Sequence, residues 1–150
     1  MSKEEIEEVL NEQNICRIAF YDEEYPYISP FQYVILDNIL YFHFTEYGKK
    51  MDILEKNRNV CVSIEKFASD LSDFYFISLQ GSLMPIKNKI EKYKVVDKMV
   101  EKLRKKYSTN FLVTNGIDRE KGWEGFKRSE PLIIYYLDEK KSRVALKSKY

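Results

Sequence analysis

Tyr27-Ile28-Ser29-Pro30-Phe31-Gln32-Tyr33-Val34-Ile35-Leu36-Asp37-Asn38-Ile39-Leu40-Tyr41-Phe42-His43-Phe44 is the stretch that decides the fold. Both halves are dense in β-branched and aromatic residues, which pack well on a pleated surface. Between them, Leu36-Asp37-Asn38-Ile39 reads as a tight hairpin, because Asp and Asn tolerate the left-handed backbone that short hairpin turns require. Residues 27–36 should therefore pair with residues 39–44. Pro30 cannot donate to a ladder, so its strand should lie at a sheet edge or bulge there.

Working outward, residues 15–21 form another strand closed by the polar turn Asp22-Glu23-Glu24, and residues 60–65 form a further one. After a polar loop at 66–73, residues 74–86 make a longer strand, with Gly81 marking a bulge or a close backbone approach. Residues 132–137 and 143–146 should close the chain as a last hairpin. The spacing also predicts three helices. Residues 3–11 carry an Ile6, Val9, Leu10 stripe behind a Ser2/Glu5 capping box. Residues 48–57 place Met51 and Leu54 on one side, and residues 89–107 align Ile90, Tyr93, Val96, Met99, Val100, Leu103 and Tyr107. Segment 108–130 has little periodicity and holds three of the five glycines, so it reads as loop. About six antiparallel strands in hairpin order suggest a mainly β fold, a sheet closed on itself with peripheral helices, because closure removes exposed edges. With no repeat and no linker, one domain should span residues 1–150.

Composition narrows the function classes. Hydrophobic residues at 44% and charged residues at 33% indicate a globular chain. A net charge of +1 gives no support to a general nucleic-acid binder, and no stretch approaches the roughly 20 apolar residues that cross a bilayer. The start of the chain has no signal-peptide pattern, so the expected location is cytoplasmic. Cys16 and Cys61 lack metal-ligand spacing and read as reduced thiols. The single histidine, His43, has no nucleophile and acid set beside it, and neither a GxGxxG nor a Walker loop is present. The helix at 89–107 is rich in lysine, which could face a nucleic acid or an acidic partner, but a solvated helix face is the commoner explanation and the one expected.

One segment points to a ligand. In Thr45-Glu46-Tyr47-Gly48-Lys49-Lys50 a strand ends and a helix begins with two cations, where the dipole and unpaired N–H groups are already positive. An anion such as a phosphate monoester would explain the pattern, held by backbone N–H groups, Thr45 and the ammonium groups. Two solvated lysines on a frayed helix end explain it too. Upstream, Gln32-Tyr33-Val34 lies beside the proline disruption and could offer hydrogen-bonding groups to a flat heteroaromatic ring, or be an ordinary edge strand.

The order of Pro26-Tyr27-Ile28-Ser29-Pro30, Tyr41-Phe42-His43-Phe44-Thr45, Gly48-Lys49-Lys50, Leu54, Asn57, Val60 and Leu79-Gln80-Gly81 resembles the pyridoxamine 5′-phosphate oxidase-like flavoproteins, and most the branch that includes the nitroimidazole-resistance proteins. The resemblance implies an FMN-binding split β-barrel and a homodimer with flavin at the subunit interface. It implies that Lys49 and Lys50 hold the FMN phosphate with Thr45 helping, that Gln32, Tyr33 and Val34 line the isoalloxazine, and that His43 lies close to it. Trp123 would cover the ring from the partner subunit, or serve as a packing anchor. True pyridoxamine phosphate oxidases carry an arginine-rich strand where this chain has Phe31-Gln32-Tyr33, and end in an arginine motif that Ala145-Leu146-Lys147-Ser148-Lys149-Tyr150 lacks. The resemblance therefore implies a flavin-dependent oxidoreductase acting on a small molecule other than vitamin B6, or a flavin-binding module without turnover, with no metal, nucleic acid or membrane involved.

Overall fold

The computed structural model describes residues 1–128, 130–139 and 143–149. In chain order the elements are α1 (Lys3–Glu12), β1 (Ile15–Phe20), β2 (Tyr27–Gln32), β3 (Val34–Leu36), β4 (Ile39–Phe44), α2 (Lys49–Lys56), β5 (Asn59–Phe67), β6 (Phe74–Pro85), α3 (Lys89–Lys106), α4 (Thr109–Thr114), α5 (Gly122–Lys127), β7 (Ile133–Asp138) and β8 (Arg143–Lys147). The expected mainly β fold with peripheral helices is what forms, but with eight strands rather than six. Among the described residues, no helix is long and apolar enough to cross a membrane.

The strands run β2-β1-β5-β6-β7-β4-β3, all antiparallel, with β8 joined separately to β6. The two ends of this path, β2 and β3, are consecutive in the chain. The decisive stretch thus opens the sheet with its first half and finishes it with its second, and the chain itself links the two ends of a curled half-barrel that no ladder joins among the described residues. The break falls at Tyr33 and not at Pro30. Tyr33 ends the pairing with β1: its N–H donates to the Asn14 carbonyl at 3.2 Å, one step beyond the Ile15–Gln32 pair, and its hydroxyl donates to the Leu10 carbonyl at 2.7 Å. Pro30 sits within β2 opposite Arg17, on an edge strand whose free side needs no donor. Asp37 and Asn38 both take positive φ, 50° and 63°, giving the mirror-image turn that matches strand twist.

Period-two alternation divides the core in two. On β4, Leu40, Phe42 and Phe44 point into the barrel, while Tyr41 and His43 face outward under the helices. Phe31 bridges the seam inside, its ring 4.8 Å from Phe44, 6.1 Å from Phe42 and 6.2 Å from Phe20. Outside, Val96, Met99 and Val100 of α3 cover Val34 and Ile134. Lys102 of the same helix is half-buried rather than solvated, and its ammonium donates to the Ile35 carbonyl at 2.7 Å. Ile90, expected on the apolar face of α3, is instead exposed near its start. Cys16 faces inward on β1 and Cys61 outward on β5, so they lie on opposite faces of the sheet as free thiols. Burial pushes the Cys16 thiol up to about 12.

Two further expectations are corrected. Segment 108–130 contains α4 and α5, each too short to leave a periodic signal, and α5 includes two glycines. Nor do β7 and β8 form a hairpin ladder among the described residues; both pair with β6, and residues 140–142 between them lie outside the described residues. β6 is handed from one to the other around Gly81. A Cβ there would lie 2.3 Å from the Asp138 carbonyl oxygen, so only glycine allows the crossing. Gly81→Ala should destabilise the fold by about 1–3 kcal/mol, because backbone must shift to admit the methyl group. A lower urea midpoint at unchanged slope is the expected result.

Candidate functional site

The break between β2 and β3 leaves a half-open cavity of about 250 Å³. Gln32, Tyr33 and Val34 form one wall, and His43 of β4 and Lys50 of α2 contribute the polar groups beside it. Met99 and Leu103 of α3 supply an apolar wall, and Phe111, Asn115 and Phe126 close the far side. The site therefore sits where the helix-covered part of the barrel's outer surface ends.

Three of these groups carry the electrostatics. His43 is half-buried with its ring centroid 5.2 Å from that of Phe126, and its Nε2 is buried without a hydrogen-bond partner. Burial lowers its pKa from the ordinary 6.5, so the imidazole is neutral near pH 7. Lys50 is half-buried with its ammonium 5.1 Å from the Phe31 ring centroid. Among the described residues no carboxylate pairs with it. Gly48, at φ 106°, precedes α2 with no side-chain cap; the Met51 N–H bonds to its carbonyl at 3.1 Å, and no side chain caps the N–H groups of Lys49 and Lys50 before it. Tyr33, by contrast, is committed to Leu10, and burial raises its phenol pKa well above the ordinary 10.

The residues singled out from the sequence thus separate into two groups. Gln32, Tyr33, Val34, His43 and Lys50 line one cavity. Thr45, Lys49 and Trp123 lie away from its lining. Thr45 turns back on its own loop, donating to the Tyr47 carbonyl at 3.0 Å. Lys49 faces Asp22 at 3.6 Å and stands 5.2 Å from the Tyr27 ring centroid. Trp123 stacks on Phe111 of its own chain, centroids 5.9 Å apart at 17°, and so backs the cavity wall. Phe111, Asn115 and Phe126 were not foreseen, because they lie on short helices that sequence periodicity cannot reveal. The apolar stripe of α3 was the one available signal for that side.

A family model described as pyridoxamine 5′-phosphate oxidase matches residues 2–119, and the chain belongs to that family. No curated protein matches the sequence. Among solved structures, a FAD-binding protein from Mesorhizobium loti is 18% identical with a TM-score of 0.64, the alignment covering 99% of this chain and 96% of that one. The haem storage protein HutZ from Vibrio cholerae is 14% identical with a TM-score of 0.70, covering 95% and 92%. A candidate 5-nitroimidazole antibiotic resistance protein from Bacteroides thetaiotaomicron is 18% identical with a TM-score of 0.63, covering 96% and 82%. At these identities the structures establish a shared fold.

The site makes a pH-dependent prediction. A histidine whose folded pKa is depressed binds its proton less readily than in the unfolded chain, so folding stability should fall as pH drops below about 6.5. NMR of the only histidine should show a midpoint below 6.5, and His43→Gln should remove that part of the acid sensitivity.

Proposed function

We propose that this chain binds FMN in the cavity at the β2–β3 break and uses it as a two-electron oxidoreductase on a small molecule. The observation that supports this reading best is Lys50. It is a half-buried cation with no carboxylate partner among the described residues, beside a helix start without a side-chain cap, and the one charged side chain in the cavity lining. Such a corner suits a doubly negative phosphate monoester, because charge-assisted hydrogen bonds and the helix dipole act together there. The residues fit the rest of the cofactor as well. Val34, Met99 and Leu103 offer an apolar surface to a flat ring, and Gln32 and the unpartnered His43 offer hydrogen-bonding groups at its rim.

FMN, when bound, supplies hydride chemistry. The chain's own part is to hold the phosphate at Lys50, to orient the ring along residues 32–34, and to keep water from the apolar wall. His43, neutral at pH 7, can donate or accept a hydrogen bond without bringing a charge into the site. Lys49 is committed to Asp22 and Tyr27, which leaves Lys50 as the principal anchor.

A homodimer completes the site. The cavity, at about 250 Å³, is below the roughly 300–1,000 Å³ of ligand pockets, so a second wall is needed. The outer face of β2, β1, β5, β6 and β8 has no helix over it and exposes Ile15, Ile28, Phe76, Val144 and Leu146. Its charges Arg17 and Glu65 neutralise one another at 2.6 Å. Pro30 and Gln32 belong both to this face and to the cavity, so a second copy seated there would cover the ring.

Purified protein should be yellow and release FMN on denaturation. Lys50→Ala should weaken FMN binding about 10–100-fold, the loss of one charge-assisted contact. Lys49→Ala, which removes an exposed pair, should cost less than about fivefold. Equal FMN affinity in Lys50→Ala and wild type, or a haem spectrum instead of a flavin one, would overturn the reading. Turnover of a reduced nicotinamide separates the oxidoreductase from a flavin-holding module. Ile28→Glu should dissociate the dimer in sedimentation equilibrium and lose FMN with it.

A further inference from the structure

The far end of the cavity is closed by a residue outside the matched family segment. Phe126 is 3% exposed and is the buried residue of α5. Its ring lies 5.2 Å from the His43 ring, tilted by 47°, and both rings line the cavity. The distance decides what can reach the imidazole face on. Placing a third ring between two others requires about 7 Å, two carbon contact distances of about 3.5 Å each. No planar ligand fits between Phe126 and His43 as they stand. A ring entering past Val34 and Met99 must stop at this pair or take the place of Phe126.

The element that carries Phe126 is built to be separable. Helix α5 has only six residues, fewer than an isolated helix needs for stability in water, and it begins at Gly122 with φ 58°. It packs on α3 and α4, and Lys127, itself half-buried, holds it to the exposed Asp97 at 3.2 Å, a solvent-screened pair of modest strength. His43 itself is positioned by β4, which is paired on both sides by β3 and β7.

From this geometry we propose that Phe126 sets the depth of the cavity and thereby decides which planar ligands contact the face of His43. It is a specificity-determining side chain mounted on a short helix that can lift away from the barrel. The application to flavin or its reaction partner rests on the reading of the preceding subsection; the shielding of His43 does not.

Modification of the single histidine tests the shielding directly. Diethyl pyrocarbonate acylates a neutral imidazole nitrogen that it can reach, and mass spectrometry of the peptide containing His43 reads the rate. Phe126→Ala and the milder Phe126→Leu should each raise that rate, the alanine variant by about tenfold, as expected when a protecting side chain is removed from a locally opening site. Val113→Ala, on the exposed side of α4, should leave it unchanged. Equal rates in wild type and in both Phe126 variants, with circular dichroism unaltered, would overturn the proposal. FMN affinity is measured in parallel by flavin fluorescence. If wild type fails to bind FMN, the cofactor reading is overturned, and the modification rates still decide the role of Phe126.

Discussion

A sheet whose first and last strands are the two halves of one continuous stretch must change direction somewhere along it, and that bend governs the molecule. It falls at Tyr33, whose N–H makes the last bond to β1's side at Asn14 and whose hydroxyl bonds to the Leu10 carbonyl. Phe31, one pleat earlier, turns inward and packs on Phe20, Phe42 and Phe44, drawing β1, β2 and β4 together across the seam. A buried phenylalanine contributes on the order of 1.5–3 kcal/mol, so the bend is held by apolar packing, the last β1–β2 bond at Asn14 and the Tyr33 hydroxyl bond to Leu10. The cavity is the outward consequence of the same bend. Where β2 and β3 part, side chains at 32–34 border a gap, with His43 and Lys50 beside it.

This arrangement explains why the polar groups of the site are poorly satisfied while the rest of the barrel is not. His43 occupies an outward position on β4, which α3 and α5 cover elsewhere with apolar side chains, and its Nε2 finds no partner there. Lys50 finds an aromatic ring instead of a carboxylate. Its neighbour Lys49 points away to Asp22 and fixes the β1–β2 turn against α2. Two adjacent lysines therefore serve different ends: one tethers loops, and the other stays available to an anion.

Most of the barrel could be read in the sequence because its signals are local. Asp37-Asn38 announces the hairpin, Ser2 and Glu5 announce the first helix, and both capping-box bonds form. The site was half legible for the same reason, since Gln32, His43 and Lys50 come from neighbouring elements of one hairpin and the helix after it. What escaped was non-local or short. The bend at Tyr33 depends on Leu10 and Asn14, more than 15 residues away, so Pro30 was the more visible breaker. Lys102 looked solvated because nothing in α3 itself discloses the Ile35 carbonyl that receives its ammonium. Phe111 and Phe126 sit on six-residue helices separated by glycines, where no periodic stripe can develop. Pairing of both β7 and β8 with β6 also depends on one close approach at Gly81, which marked the place without revealing the partner.

The position of β7 has a consequence for synthesis. It lies between β4 and β6, and is the strand that joins the two halves of the sheet path, yet it follows every other strand of that path in the chain and is made after them. Until residues 133–138 leave the ribosome, β4 and β6 each present a bare edge with apolar inner faces, a state that invites pairing with other chains. Assembly of this path therefore waits for the strand that is made last among its members. The nascent protein must be kept from aggregating through that interval by its own early helix, by its charged surface, or by a chaperone.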